Sequence, residues 1–178
     1  MEKVKEVPYG VADFVTVMEQ NLYYVDKTMF IPELEKQPRN LFFIRPRRFG
    51  KSLFLSMLHS YYDCNQSAKF QSLFGKLWIG QHPTELQGKY QVLFLDFSQV
   101  SGNIDSLERN FDFYCSVKLD GFMRRYGESY SEETREKVRK AEYAMDKLAF
   151  IHESECLIAI WCFTIFAIIW ITDVLLSR

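Results

Sequence analysis

The sequence predicts an α/β fold: a parallel sheet flanked by helices, with an apolar helix at its C-terminal end. Two uninterrupted apolar runs, Leu41-Phe42-Phe43-Ile44 and Val92-Leu93-Phe94-Leu95, suit strands buried on both faces. Around them, apolar residues recur at three- and four-residue spacing, the period of helices with one buried face. The resulting order of helix, strand, helix, strand, helix is that of a layered α/β domain.

The elements follow in turn. Pro8-Tyr9-Gly10 opens a turn, after which Val11, Phe14, Val15 and Met18 keep helical spacing. Leu22-Tyr23-Tyr24-Val25 reads as a short strand because it is aromatic and β-branched. Asp26 stands where it would cap a helix through Ile31, Leu34 and Glu35, with Pro32 near its first turn, where a missing amide is tolerated. Pro46 ends the first apolar run, and Leu53, Phe54, Met57, Leu58 and Tyr61 then form a helical stripe. Gly75, Gly80 and Pro83 break residues 70–83 into short pieces. The second apolar run ends at Asp96. Ile104, Leu107, Phe111, Tyr114, Val117 and Phe122 mark a long helix that Arg124-Arg125-Tyr126-Gly127 ends. Ser131 starts another, with Val138, Ala141, Met145 and Leu148 facing inward.

Residues 151–178 differ in kind. No charged residue occurs from Cys156 to Thr172, a run near the lower limit of about 17–20 residues for a bilayer-spanning helix. Residues 156–176 therefore predict an apolar helix, read either as a membrane span or as an out-of-frame extension of the chain. Lys147 before it and Arg178 after it give no orientation.

Composition limits the function classes. The chain has 178 residues, 48% of them apolar and 25% charged, enough for one domain with its own core. A net charge of -1 argues against a broad basic surface for nucleic acid. Cys64, Cys115, Cys156 and Cys162 have no CxxC spacing, and His59, His82 and His152 are scattered, so no zinc site is indicated. The cysteines read as reduced, in a cytoplasmic setting, with membrane association through the tail as the alternative. The charged start, Met1-Glu2-Lys3-Val4-Lys5-Glu6, is not that of a signal peptide.

The chemistry is concentrated in Arg45-Pro46-Arg47-Arg48-Phe49-Gly50-Lys51-Ser52, between the first apolar run and the helical stripe. A phosphate chain packs several negative charges into a small volume. Backbone amides at a helix start surround it, the helix dipole favours it, and a glycine lets the backbone approach. A lysine in the first turn reaches the outer phosphates, and a Ser or Thr beside it offers an oxygen to Mg²⁺. Gly50, Lys51 and Ser52 supply these types in that order, so Arg47, Arg48, Phe49, Gly50, Lys51, Ser52 and Leu53 form the candidate ATP site, with Ser52 on Mg²⁺. The usual pattern, GxxxxGK(S/T), has a glycine where this chain has Arg45. The alternative is a glycine that only shapes a turn beside a solvated Lys51. The arginines admit four readings: phosphate contact, nucleic-acid contact, a solvated basic loop, or pairing with Asp26 or Asp96. Asp96, ending the second strand, reads as a second Mg²⁺ ligand or as a residue closing a turn near Ser98. Gly75-Lys76 lacks a following Ser or Thr and is set aside.

Several separate segments occur in a fixed order: Val7-Pro8-Tyr9-Gly10, Tyr24-Val25-Asp26-Lys27-Thr28, Arg45 to Ser56, Leu77-Trp78-Ile79-Gly80 and Leu93 to Ser98. This series resembles the bacterial AAA-ATPase-like family over roughly residues 4 to 150. The resemblance implies a P-loop NTPase-like fold, ATP and Mg²⁺ as ligands, and Arg45 as a family trait. It also implies a later apolar strand ending in Asp-Glu-Tyr-Asp, and often a C-terminal nuclease domain, neither of which this sequence contains. Residues 1–150 are thus expected to be the N-terminal part of such a domain, with an incomplete sheet and weak hydrolysis. A membrane-tethered protein and a nucleic-acid-binding module using the arginine-rich loop are the alternatives.

Overall fold

The computed structural model describes residues 5–37, 40–44, 49–152, 157–162 and 166–171. Its helices are α1 (Phe14–Glu19), α2 (Ile31–Glu35), α3 (Lys51–Tyr62), α4 (Phe70–Phe74), α5 (Trp78–Gln81), α6 (Ile104–Tyr126), α7 (Glu132–Lys140) and α8 (Ala144–His152). Four strands, β1 (Asn40–Ile44), β2 (Gln91–Asp96), β3 (Leu157–Cys162) and β4 (Phe166–Ile171), form one sheet in the order β1-β4-β3-β2. β2 and β3 are parallel, while β4 runs antiparallel to both of its neighbours, β1 and β3. β1, β2 and β3 therefore point the same way, and their carboxyl ends share one edge.

The alternation of side chains along β2 divides the core into two layers. Val92 and Phe94 pack with α1 to α5, while Leu93 and Leu95 face α6, α7 and α8. β3 repeats the pattern, with Ile158 and Ile160 in the first layer and Leu157 in the second. The expected buried strand at 92–95 is thus present with both faces covered. β1 departs from expectation. Leu41 and Phe43 turn to the core, where Phe43 stacks on Phe54 at 5.0 Å, but Phe42 and Ile44 are 68% and 70% exposed. β1 is an edge strand, and among the described residues no helix lies over its outer face.

Several local readings shift for tertiary reasons. Residues 22–25 form no strand among the described residues; Tyr23 N donates to Glu6 O at 2.8 Å instead. In α6 the buried stripe is Cys115, Leu119, Phe122 and Tyr126, while Leu107, Phe111 and Val117 are largely exposed. The first half of α6 overhangs the sheet, where Phe111 stacks on Phe97 at 4.9 Å. The helix expected after Ser131 is two helices. Ser131 Oγ caps α7 by accepting from Thr134 N, and the chain then breaks and restarts where Ala144 N donates to Asp112 Oδ1 at 2.8 Å. This rotates Met145 outward, to 70% exposure.

The tail overturns the expectation of an apolar C-terminal helix. Residues 157–162 and 166–171 are strands. Isoleucine, tryptophan and phenylalanine favour a pleated surface, and the open edges of β1 and β2 offer hydrogen-bond partners that a lone helix lacks. Among the described residues no helix is long and apolar enough to cross a membrane.

Candidate functional site

The site begins at the carboxyl end of β1. Residues 45–48, which include Arg45, Arg47 and Arg48, lie outside the described residues. The chain re-enters at Phe49, and Gly50 is the N-cap of α3 with φ 75° and ψ 21°. This left-handed conformation costs any residue with a Cβ, which is the local reason for glycine here. The first bond into the helix runs from Phe54 N to Gly50 O at 3.0 Å. The amides of Lys51, Ser52 and Leu53 precede it, in the first turn, where a helix concentrates its positive partial charge. Lys51 is 8% exposed, Leu53 is half-buried, and Ser52 stands exposed to solvent. Gly50, Lys51, Ser52 and Leu53 are therefore together at one helix mouth, as the sequence suggested. In open sheets the carboxyl edge is where ligands bind, because loops and helix starts converge there.

α3 is fixed by groups that sequence reasoning left out. Ser56 Oγ accepts from Phe14 N at 2.9 Å and donates to Asp13 Oδ1 at 3.3 Å, tying α3 to the start of α1. Partial burial opposes the charge on Asp13. Hydrogen bonds from the Thr16 hydroxyl and amide and from Ser56 outweigh that effect and hold its carboxyl below the ordinary value. On the other side of α3, Tyr62 OH and Thr84 Oγ1 both donate to Glu35 Oε1, at 3.1 and 2.8 Å. Burial still pushes the Glu35 carboxyl above its ordinary range.

Two segments far apart in the chain meet beside the site. Asp26 Oδ1 accepts from Thr28 N at 2.8 Å and from Thr28 Oγ1 at 2.7 Å, while Asp26 Oδ2 accepts from Trp78 N at 2.7 Å. Thr28 Oγ1 in turn accepts from Ile79 N at 3.1 Å, in a fully buried position. The Asp-Lys-Thr spacing is an Asx-turn signal readable in the sequence, but its reach to Trp78 and Ile79 is not. Contrary to expectation Asp26 does not cap α2: a 3-10 turn at Thr28–Phe30 intervenes, Phe30 is the N-cap of α2, and Asp26 closes a turn on Thr28 instead. Pro32 sits in the first turn of α2.

Asp96 is not brought to this mouth. Its Oδ1 accepts from Ser98 N and Ser98 Oγ at 3.1 and 2.7 Å, the turn-closing role. β4 and β3 separate β2 from β1, which at ~4.8 Å per strand sets Asp96 roughly 14 Å from the end of β1. Among the described residues no three His, Cys, Asp or Glu side chains converge as a metal site, and Cys64 and Cys115 are in the thiol state, not disulfide-bonded. A cavity of about 860 Å³ lies between α6 and α8, but Asp105, Glu108, Asp112 and Asp146 line it against Arg109 alone. That balance disfavours a polyanion.

The sequence matches the family described as Predicted AAA-ATPase across residues 8–160. The chain belongs to that AAA-ATPase-like family. A stretch of 63 residues is also 44% identical to an uncharacterized protein in the vnfD 5' region of Azotobacter chroococcum mcd 1; it covers 35% of this chain and 12% of that protein. The chain thus spans a small part of that relative's length. No solved structure matches it. Membership of an AAA-ATPase-like family supports a nucleotide-binding role at the level of the family.

Proposed function

We propose that the chain binds a nucleoside triphosphate, with ATP as the expected ligand, through Arg47, Arg48, Phe49, Gly50, Lys51, Ser52 and Leu53. The observation that carries this is Gly50 in a left-handed conformation at the mouth of α3, directly followed by Lys51 and Ser52. A Cβ at Gly50 would be strained by the positive φ and would stand 3.7 Å from Lys27 Nζ, and the amides of a helix's first turn are where an anion binds. In this reading the amides of Lys51, Ser52 and Leu53 orient the phosphate chain, and the Lys51 ammonium neutralises its outer charge. Ser52 Oγ would hold Mg²⁺ together with phosphate oxygens; the ion screens the charge between neighbouring phosphates. Asp96 has no part in this site. Residues 1–150 are proposed to form the N-terminal part of the ATP-binding domain.

Hydrolysis needs more than this cradle: a positioned water and stabilisation of charge at the γ-phosphate. β3, the strand beside β2, reads Leu157-Ile158-Ala159-Ile160-Trp161-Cys162 and carries no acid. The proposal is therefore binding with little turnover by this chain. Calorimetric titration with ATP and Mg²⁺ tests it: Lys51→Ala is expected to abolish a measurable wild-type signal, and equal binding by the variant would overturn the role given to Lys51.

A further inference from the structure

The segment Tyr24 to Thr28 accompanies the phosphate loop in the sequence, yet the proposed site does not use it. Its geometry suggests a purpose. Asp26 and Thr28 are anchored to each other and to the amides of Trp78 and Ile79, at 2.7–3.1 Å. These bonds fix the backbone on both sides of Lys27. Lys27 is itself half-buried, and its Nζ lies 3.7 Å from the place a Cβ on Gly50 would take. Among the described residues its ammonium has neither a hydrogen-bond nor an ion-pair partner.

We propose that Lys27 is a second cationic ligand of the nucleotide's phosphate chain, presented by the Asp26–Thr28 turn against Gly50. The inference rests on Gly50 to Ser52 being a phosphate site. A helix mouth carries positive partial charge, and Gly50 is the N-cap of α3. Bringing the Lys27 ammonium to that mouth is unfavourable by Coulomb's law unless an anion lies between the positive groups. The fold holds its backbone there nonetheless: the turn is pinned through Thr28, which is fully buried and bonded to the Ile79 amide. Lys27 thereby acts through charge and Asp26 through position. A triphosphate offers enough negative charge to engage both lysines, whereas a monophosphate does not, so the ligand class is a nucleoside di- or triphosphate.

The test is calorimetric titration of the full chain with Mg-ATP, AMP and inorganic tripolyphosphate, for the wild type, Lys27→Met, Lys27→Arg and Lys51→Ala, with urea midpoints for each. Loss of one charge-assisted contact should weaken ATP and tripolyphosphate by about tenfold or more in Lys27→Met. AMP should change less, Lys27→Arg should recover most of the affinity, and the urea midpoint should hold. If Lys51→Ala abolishes binding while Lys27→Met stays within about twofold of wild type, Lys27 only covers the glycine and the inference fails with the site intact. If the wild type binds neither ATP nor tripolyphosphate, the site reading fails and takes the inference with it. A loss that tracks a lowered urea midpoint and is not recovered by arginine also overturns it; Lys27→Gln, a smaller change in shape, repeats the measurement should Lys27→Met fold poorly.

Discussion

Asp26→Ala is the substitution whose cost follows most directly from the geometry. Its carboxylate receives three donors: the Thr28 amide at 2.8 Å, the Thr28 hydroxyl at 2.7 Å and the Trp78 amide at 2.7 Å. Hydrogen bonds to a charged acceptor contribute about 1.5–3 kcal/mol each, but they do not add when they share one group. The Trp78 amide lies near solvent, where water can replace the lost oxygen. Thr28 is fully buried and cannot be rehydrated without opening the structure. The loss is therefore dominated by the Thr28 pair, for a total of ~2–4 kcal/mol. Trp78, whose amide is one of the donors, reports on the same region by fluorescence, so urea unfolding followed at the tryptophan emission reads the effect. The urea midpoint should fall with the slope unchanged. Asp26→Asn, which keeps one acceptor oxygen, should lose roughly half as much. In Thr28→Val, the Ile79 amide loses its acceptor, and the double variant Asp26→Ala/Thr28→Val should cost less than the sum of the singles. An Asp26→Ala midpoint equal to wild type would refute the reasoning, because it would mean that the three bonds do not hold the turn in solution.

Other outcomes follow from single contacts. A Cβ on Gly80 would run into the Phe74 carbonyl, a backbone atom with little freedom to move, so Gly80→Ala should destabilise by ~1–3 kcal/mol in the same urea assay. Glu35 gives a pH signature. Burial raises its folded carboxyl above the ordinary value of 4.5. The folded state then holds a proton that the unfolded state has released, so this contribution is complete below the unfolded value and is lost as pH rises through the folded one. Relative to Glu35→Gln, which does not titrate, wild-type stability should decline as pH rises above the ordinary carboxyl value and through the raised folded one, and parallel curves for the two proteins would contradict the buried setting of Glu35.

What the sequence made legible is local. The run Leu41 to Ile44, the stripe from Phe54 to Tyr61 and the buried strand at 92–95 are each written in a few consecutive residues, and each is where it was expected. Gly50 belongs with them. Its left-handed backbone and the Lys-Ser pair after it are a matter of one turn of chain, and Gly50 to Leu53 lie together because they are neighbours in sequence. Asp96 also behaves as a local pattern allows, closing a turn on Ser98.

Tertiary structure decided what depends on partners. Apolarity alone does not separate a helix from a strand, so residues 157–162 and 166–171 took their form from the edges of β1 and β2. The same residues Leu22 to Val25 that favour a strand form none, because no partner strand meets them. Phe42 and Ile44 are exposed for an equivalent reason: burial on a second face requires a layer to cover it, which a strand's own sequence does not supply. Asp26 reaches Trp78 across 52 positions. A side chain's chemistry is fixed by its own atoms, but the group it meets across the fold is set by the packing of the whole chain.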